Sequence, residues 1–197
     1  MVLLRISAAM ARRDDPGLRE AFASDVLRGV EQQVDEVILQ AGLFLGYPAV
    51  LDAFSLWAGA RCSMPVRPEV PRPTDWEERG SELCRRVYGA AYENLRSNVS
   101  QLHPDLDYGM IVDGYGRILS RPGLPLRERE LNVVVVLTAA RRWRQLHSHL
   151  RGALRAGALP DEVESAMEIG ARDLDDASRS RLFETWASVR SRTKEEA

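Results

Sequence analysis

The sequence has little of what marks secreted, membrane-spanning or redox-active proteins. Its two cysteines, Cys62 and Cys84, lie far apart and outside any CxxC pair, which favours free thiols in a reducing compartment over a disulfide. No apolar run approaches the roughly 20 residues that a membrane-spanning helix needs. The first residues also lack the basic, apolar and small-residue zones of a signal peptide. These absences predict a cytoplasmic protein with no membrane partner.

An excess of basic residues is also missing. The 197 residues carry a formal net charge of -2, with 27 Lys and Arg against 29 Asp and Glu. A nucleic-acid-binding domain usually carries a basic excess, so we expect no nucleic-acid partner. Hydrophobic residues make up 45% of the chain, which is enough for a sizeable core.

Prolines are concentrated in one segment, residues 64–75, which contains four of them. Such spacing excludes a regular helix and favours an extended linker between residues 1–63 and residues 76–197. Apolar residues at helical spacing occur on both sides of it, as in Val34, Val37, Ile38, Ala41 and Leu45. The run Val133–Leu137 has strand propensity, but its flanks suit a helix and no other strand is indicated. We therefore predict an all-α protein in which this run is a buried helical segment.

Short sequences from the start of the chain recur near its end. Ala11-Arg12-Arg13 recurs at residues 140–142, Asp35-Glu36-Val37 recurs as the acidic pair and valine of residues 161–163, and Trp57 recurs as Trp186. Chance matches among helices rich in alanine and arginine are the alternative. The pattern indicates that residues 1–60 form a half-domain that echoes residues 130–190.

The most specific stretch is residues 147–158, His-Ser-His-Leu-Arg-Gly-Ala-Leu-Arg-Ala-Gly-Ala, preceded by Arg-Glu-Arg-Glu-Leu at residues 127–131. In these residues the chain resembles the carboxymuconolactone decarboxylase family, which has H-x-R-G-A-L-x-x-G after a helix opened by R-E-R-E-L. The resemblance covers residues 76 to 170. It implies an all-α, AhpD-like fold of about eight helices, assembly into trimers or hexamers, a small-molecule substrate and no cofactor.

A second piece of the resemblance lies out of order. Residues 36–40 and 45–49 look like the family's closing E-V-L-L-Q and Y-x-G-F-P-A patterns, which are poorly kept after Val163. The chain is thus either a degraded tandem duplication or a permuted family member. We expect residues 1–63 to fill the place of the family's final helices. This copy has Ala21 or Phe22 where His149 would align, and it begins too late to hold a counterpart of Glu130.

The resemblance also implies candidate catalytic residues. Glu130 and His149 stand at the glutamate and histidine positions of the family's alkylhydroperoxidase branch, whereas Arg142 and Gln145 stand at its two cysteine positions. Thiolate chemistry at those positions is therefore excluded. His149 is the candidate general acid/base because imidazole transfers protons near neutral pH, and Glu130 is its candidate partner. The structural alternatives are a packed or exposed helix histidine and a surface carboxylate.

Substrate-binding candidates complete the predicted site. Arg127, Arg142 and Arg151 could clamp a substrate carboxylate, and Gln145 could stabilise the charge that develops as CO2 leaves. Each arginine has the alternative of a solvated surface residue. His147 lies two residues from His149 and does not share its helical face, so we expect no metal site.

The predicted function is cofactor-free decarboxylation, or related acid/base chemistry, on a small carboxylated lactone or organic acid. The alternative is a non-catalytic oligomeric binding or scaffold protein of the same fold. A peroxidase is disfavoured by the missing CxxC pair.

Overall fold

The computed structural model describes residues 1–61 and 73–195. All regular secondary structure in these two ranges is helical, with no strand, which confirms the predicted all-α class. Cys62 and most of the predicted linker lie outside the described residues, and Pro73–Asp75 form a 3₁₀ turn. No helix among the described residues is both long and apolar enough to cross a membrane.

Four helices precede the proline-rich segment and seven follow it within the described ranges. The first four are α1 (Val2–Arg12), α2 (Asp15–Phe22), α3 (Glu31–Leu45) and α4 (Tyr47–Ala60). The others are α5 (Trp76–Tyr88), α6 (Tyr92–Leu102), α7 (Pro104–Gly109), α8 (Leu126–Ala139), α9 (Trp143–Arg155), α10 (Pro160–Gly170) and α11 (Asp176–Glu195). A π-helix, Met110–Leu119, continues directly from α7.

Helix α8 is the centre of the fold. The run Val133–Leu137 is at most 2% exposed, because α8 packs against α1, α3, α9 and α10. The predicted buried helix is therefore confirmed. Burial on all sides lets five β-branched and aliphatic side chains override the strand preference of the run.

Two glycines bring α5 and the π-helix into backbone contact. A Cβ atom on Gly80 would lie 2.1 Å from the carbonyl oxygen of Ile111, and one on Gly116 would lie 2.0 Å from that of Trp76. Only glycine permits this approach. The contact places Tyr88 of α5 beside Tyr115 of the π-helix, with ring centroids 6.4 Å apart.

A buried ion pair joins the first part of the chain to α8. The Arg129 guanidinium, whose side chain is 1% exposed, donates to Glu36 Oε2 at 2.9 Å and to Gln40 Oε1 at 3.2 Å. It also donates to the backbone carbonyl oxygens of Arg121 and Leu124. Burial lowers the pKa of Arg129, and the charge of Glu36 opposes that shift. The hydrogen-bond donors of this buried cation are thus well matched, as buried charges require.

The closing helix α10 keeps its own place in the fold. Both α3 and α10 pack on α8. Helix α3 thus packs on the same central helix as α10. The expectation that residues 1–63 fill the place of the family's final helices stays a prediction. The first part of the chain adds a second layer around α8.

Candidate functional site

The predicted catalytic residues meet inside the protein. Glu130 lies in the first turns of α8 and His149 in the middle of α9, and His149 Nδ1 lies 2.9 Å from Glu130 Oε2. The side chain of His149 is 5% exposed and that of Glu130 is 1% exposed. Because an ionised carboxylate can only accept hydrogen bonds, Nδ1 is the donor and Nε2 is the nitrogen left for other contacts. We refer to these two residues as the dyad.

Local geometry explains why α8 and α9 bring the dyad together. Helix α8 ends at Ala139, Arg141 takes the left-handed conformation with φ 56°, and α9 begins at Trp143. This tight reversal lays α9 against α8. Gly152, one turn after His149, lets the helices approach: a Cβ atom there would lie 2.6 Å from Glu130 Oε2 and 2.7 Å from Val87 Cγ1.

Gly152→Ala should lower the free energy of unfolding by about 1–3 kcal/mol, because the added methyl overlaps Glu130 and Val87. Gly59→Ala in α4 is the matched control, since nothing lies within 4 Å of its Cβ position. We expect the control to gain up to about 1 kcal/mol from its better helix propensity. Urea unfolding measures both; equal effects would show that α8 and α9 are not packed as described.

Aromatic residues from three separate elements line the dyad. The Phe44 ring from α3 meets the His149 imidazole edge-on at 5.8 Å between centroids, and the Tyr88 ring from α5 does so at 6.3 Å. Tyr115 from the π-helix packs behind Tyr88. Arg155 donates to the carbonyl oxygens of Val87 and Tyr88, which fixes the end of α5. The site is therefore assembled from both parts of the chain.

Phe44, Tyr88 and Tyr115 form an aromatic wall around the dyad. The tyrosine hydroxyls of this wall and the nearby Cys84 thiol are held in their neutral forms. Burial raises the pKa of Tyr88 to about 12 and that of Tyr115 well above its usual value. Burial also raises the pKa of the Cys84 thiol to about 12. Tyr115 and Ser148 oppose the rise in the pKa of Tyr88, but burial outweighs them. The hydroxyls can therefore donate hydrogen bonds near the dyad at neutral pH, and Cys84 stays a thiol.

One oxygen of the dyad has an unused hydrogen-bonding capacity. Glu130 Oε1 is buried and accepts no hydrogen bond from the described residues. Leaving a buried carboxylate oxygen without a donor costs free energy. This oxygen is therefore available to a donor from a bound molecule or a water.

The residues predicted to bind the substrate carboxylate are placed differently from the dyad. Arg127 donates to Glu128 at 2.9 Å and to Glu162 at 3.0 Å, on the side of α8 that faces α10. Arg142 and Gln145 lie exposed at the start of α9, and Arg151 is half-buried on the same helix. The structure thus brings Glu130 and His149 into contact and engages Arg127 elsewhere.

Sequence reasoning did not assign Phe44, Tyr88 and Tyr115 to the site. Each is an aromatic residue close to a glycine in a stretch that was matched to a family pattern or an apolar helix face. Nothing in the sequence indicated that the three stretches converge. Within the described residues, no three His, Cys, Asp or Glu side chains are grouped so as to hold a metal ion.

Residues 108–185 match the model of the Carboxymuconolactone decarboxylase family. The 4-carboxymuconolactone decarboxylase of Acinetobacter baylyi is 31% identical over 88 residues, which are 44% of this chain and 66% of that relative. The chain thus spans slightly less than two thirds of the length of the curated relative that it matches. The matched range, residues 108–185, includes the dyad and α10. The matched range begins and ends later than the resemblance noted in the sequence.

Proposed function

We propose that the protein is a cofactor-free carboxy-lyase that acts on a small carboxylated lactone or a related organic acid. The observation that carries the proposal is the buried 2.9 Å contact between His149 Nδ1 and Glu130 Oε2 inside the matched family domain. A carboxylate that holds one imidazole nitrogen fixes the tautomer and prepares the other nitrogen for proton transfer. The named activity of the relative supplies the reaction class.

For decarboxylation, such a site must bind the substrate carboxylate, stabilise the negative charge that develops as CO2 leaves, and return a proton to carbon. The bond to the carboxyl carbon breaks, its electron pair stays on the substrate as a delocalised anion, and CO2 leaves. Neutral donors such as the Tyr88 hydroxyl would stabilise that anion. His149 would enter this step as the imidazolium, which Glu130 stabilises through Nδ1, and would deliver its Nε2 proton to the substrate carbon; the neutral imidazole would then take a proton from water when the product leaves. The aromatic wall would keep water from the site.

Binding of the substrate carboxylate is assigned to the remaining candidates. Gln145 and Arg151 belong to α9, the helix that carries His149, and Arg142 is the residue at its N-terminal cap. We propose that one of these arginines binds the carboxylate as the substrate enters. Arg127 is the weakest candidate, because Glu128 and Glu162 already neutralise it.

A second reading, a non-catalytic binding or scaffold protein, is favoured by one observation. His149 is only 4% exposed, so a substrate reaches it only if the aromatic wall moves. The homo-oligomer that the resemblance implies stays a prediction, and size measurement in solution tests it.

Incubation of the full chain with 4-carboxymuconolactone and related acids, with release of CO2 as the readout, tests the proposal. Release above the buffer rate supports a lyase. Saturable binding of the same compounds without CO2 release would favour the binding protein.

A thiol-dependent hydroperoxide reductase assay should give no turnover. The cysteine positions of the peroxidase branch are Arg142 and Gln145, and burial holds the pKa of Cys84 at about 12, far from the thiolate form. Turnover that survives in a Cys62→Ser, Cys84→Ser variant would show that the predicted chemistry is wrong. Turnover that disappears in that variant would mean that a cysteine is the redox centre after all.

A further inference from the structure

Two arginines are alone among the described residues in combining a side chain with positive φ. Arg13 has φ 55° and Arg141 has φ 56°, and every other described residue with positive φ is a glycine. Both end a helix in the same way. Asp14 N donates to Ala9 O and Arg142 N donates to Leu137 O, each at 2.9 Å. The inner bonds of the two Schellman motifs also match, Arg13 N to Met10 O and Arg141 N to Thr138 O.

A three-residue contact also occurs twice. Trp57 Nε1 donates to Asp35 Oδ1, and Trp186 Nε1 donates to Glu164 Oε1, each at 2.8 Å. An arginine four residues after each tryptophan pairs with the same carboxylate oxygen, Arg61 at 3.7 Å and Arg190 at 3.1 Å. All three positions are separated by the same 129 residues, from 35 to 164, 57 to 186 and 61 to 190. Chance similarity between helices does not produce the same side-chain contact at a constant spacing.

Helix boundaries follow the same spacing. Helix α3 begins at residue 31 and α10 at 160, and α4 begins at 47 and α11 at 176, again 129 residues apart. We infer that residues 2–60 and 130–190 are two copies of one four-helix unit, and that the first copy, which has no dyad, supplies a wall to the dyad site of the second. This inference does not depend on whether the dyad is catalytic.

The first copy has an empty counterpart of the dyad site. Arg13 and Arg141 are 128 residues apart, one fewer than the spacing of the later helices. In the alignment on these two arginines, Val2 takes the position of Glu130 and Ala21 that of His149. The copy therefore does reach the glutamate position, which the sequence alone had placed before its start. Both residues line one open cleft of about 970 Å³ between α1, α2 and α10.

The wall contacts are reciprocal. Phe44, at the end of α3 in the first copy, packs on His149 of the second. At the corresponding end of the second copy, Glu168 and Ile169 in the last turn of α10, and Arg172 just after it, line the cleft of the first copy. Each copy thus places the end of its third helix over the site of the other. Helix α5 and the π-helix cover the dyad site only, which explains why one site is enclosed and the other is open.

Rebuilding the missing dyad tests the equivalence of the two copies. We expect the Val2→Glu, Ala21→His double variant of the full chain to show, by ¹⁵N NMR, an imidazole at position 21 protonated on Nδ1, as His149 is. The Ala21→His single variant should instead show the Nε2-protonated form that predominates in water. A tautomer at position 21 that is the same with and without Val2→Glu would overturn the inference.

The contact between Phe44 and His149 is tested separately by NMR, with a variant that introduces no charged side chain into the protein interior. Phe44→Leu should shift the imidazole ¹H resonances of His149, assigned from their loss in His149→Asn, without moving those of His103. Phe54→Leu is the control, because Phe54 packs in the core of the first copy. Resonances of His149 that do not move in Phe44→Leu, or move equally in both variants, would contradict the wall role of the first copy.

Discussion

Glu36→Leu should lower the free energy of unfolding by about 3–5 kcal/mol, the typical cost of removing one partner of a buried ion pair. The change leaves the Arg129 guanidinium in a site where its side chain is 1% exposed, with only carbonyl and amide oxygens as partners. Urea unfolding followed by circular dichroism measures the loss. We expect the transition to report on both parts of the chain, because α3 and α8 are joined through this pair.

The Glu36→Leu, Arg129→Met double variant separates the buried charge from the packing. The double variant removes the Arg129 guanidinium and leaves only Arg121, the second and more exposed partner of Glu36, without its carboxylate. We therefore expect it to regain part of the stability that Glu36→Leu loses. A double variant that is less stable than the parent by the sum of the two single losses would contradict this. The ion pair would then contribute nothing to the attachment of α3.

His149→Asn should reduce turnover by about 10²–10⁴-fold, the range that general acid–base catalysis contributes. The asparagine amide can take the place of Nδ1 as donor to Glu130 Oε2, but it provides no counterpart of Nε2. The melting temperature should therefore stay close to that of the parent. Activity assays and thermal unfolding of the same preparation give the two quantities.

His149→Leu is the matched comparison. It removes the donor as well, so Glu130 is left buried without a partner on either oxygen. We expect it to lose both turnover and stability. Equal stability losses in His149→Asn and His149→Leu would indicate that the hydrogen bond to Glu130 is not what the asparagine preserves.

The sequence predicted the elements that depend on local patterns. The helical stripe from Val34 to Leu45 lies within α3, and the run Val133–Leu137 lies within α8, as predicted. The π-helix could not be predicted in this way, because Gly114 and Gly116 within it have poor helix propensity. Here Gly116 serves the approach to Trp76 in α5, and a tertiary contact of this kind leaves no periodic pattern in the sequence.

Only part of the candidate site could be predicted in the same way. Glu130 and His149 were found through their positions in a family pattern, and they are in contact. Phe44 could not be found, because its contact with His149 depends on how α3 packs on α8. Arg127 was predicted to bind substrate because of its charge, but its guanidinium is paired with Glu162 from α10. Sequence spacing does not reveal this neighbour.

Kinetics of the Glu130→Gln, His149→Asn double variant, compared with each single variant, test the central claim most directly. If the dyad is one acid/base unit, either single change abolishes its function, and the double variant should be about as slow as each single variant. Independent, multiplying losses, or single variants that release CO2 as fast as the parent, would contradict the assignment of Glu130 and His149 as a catalytic unit.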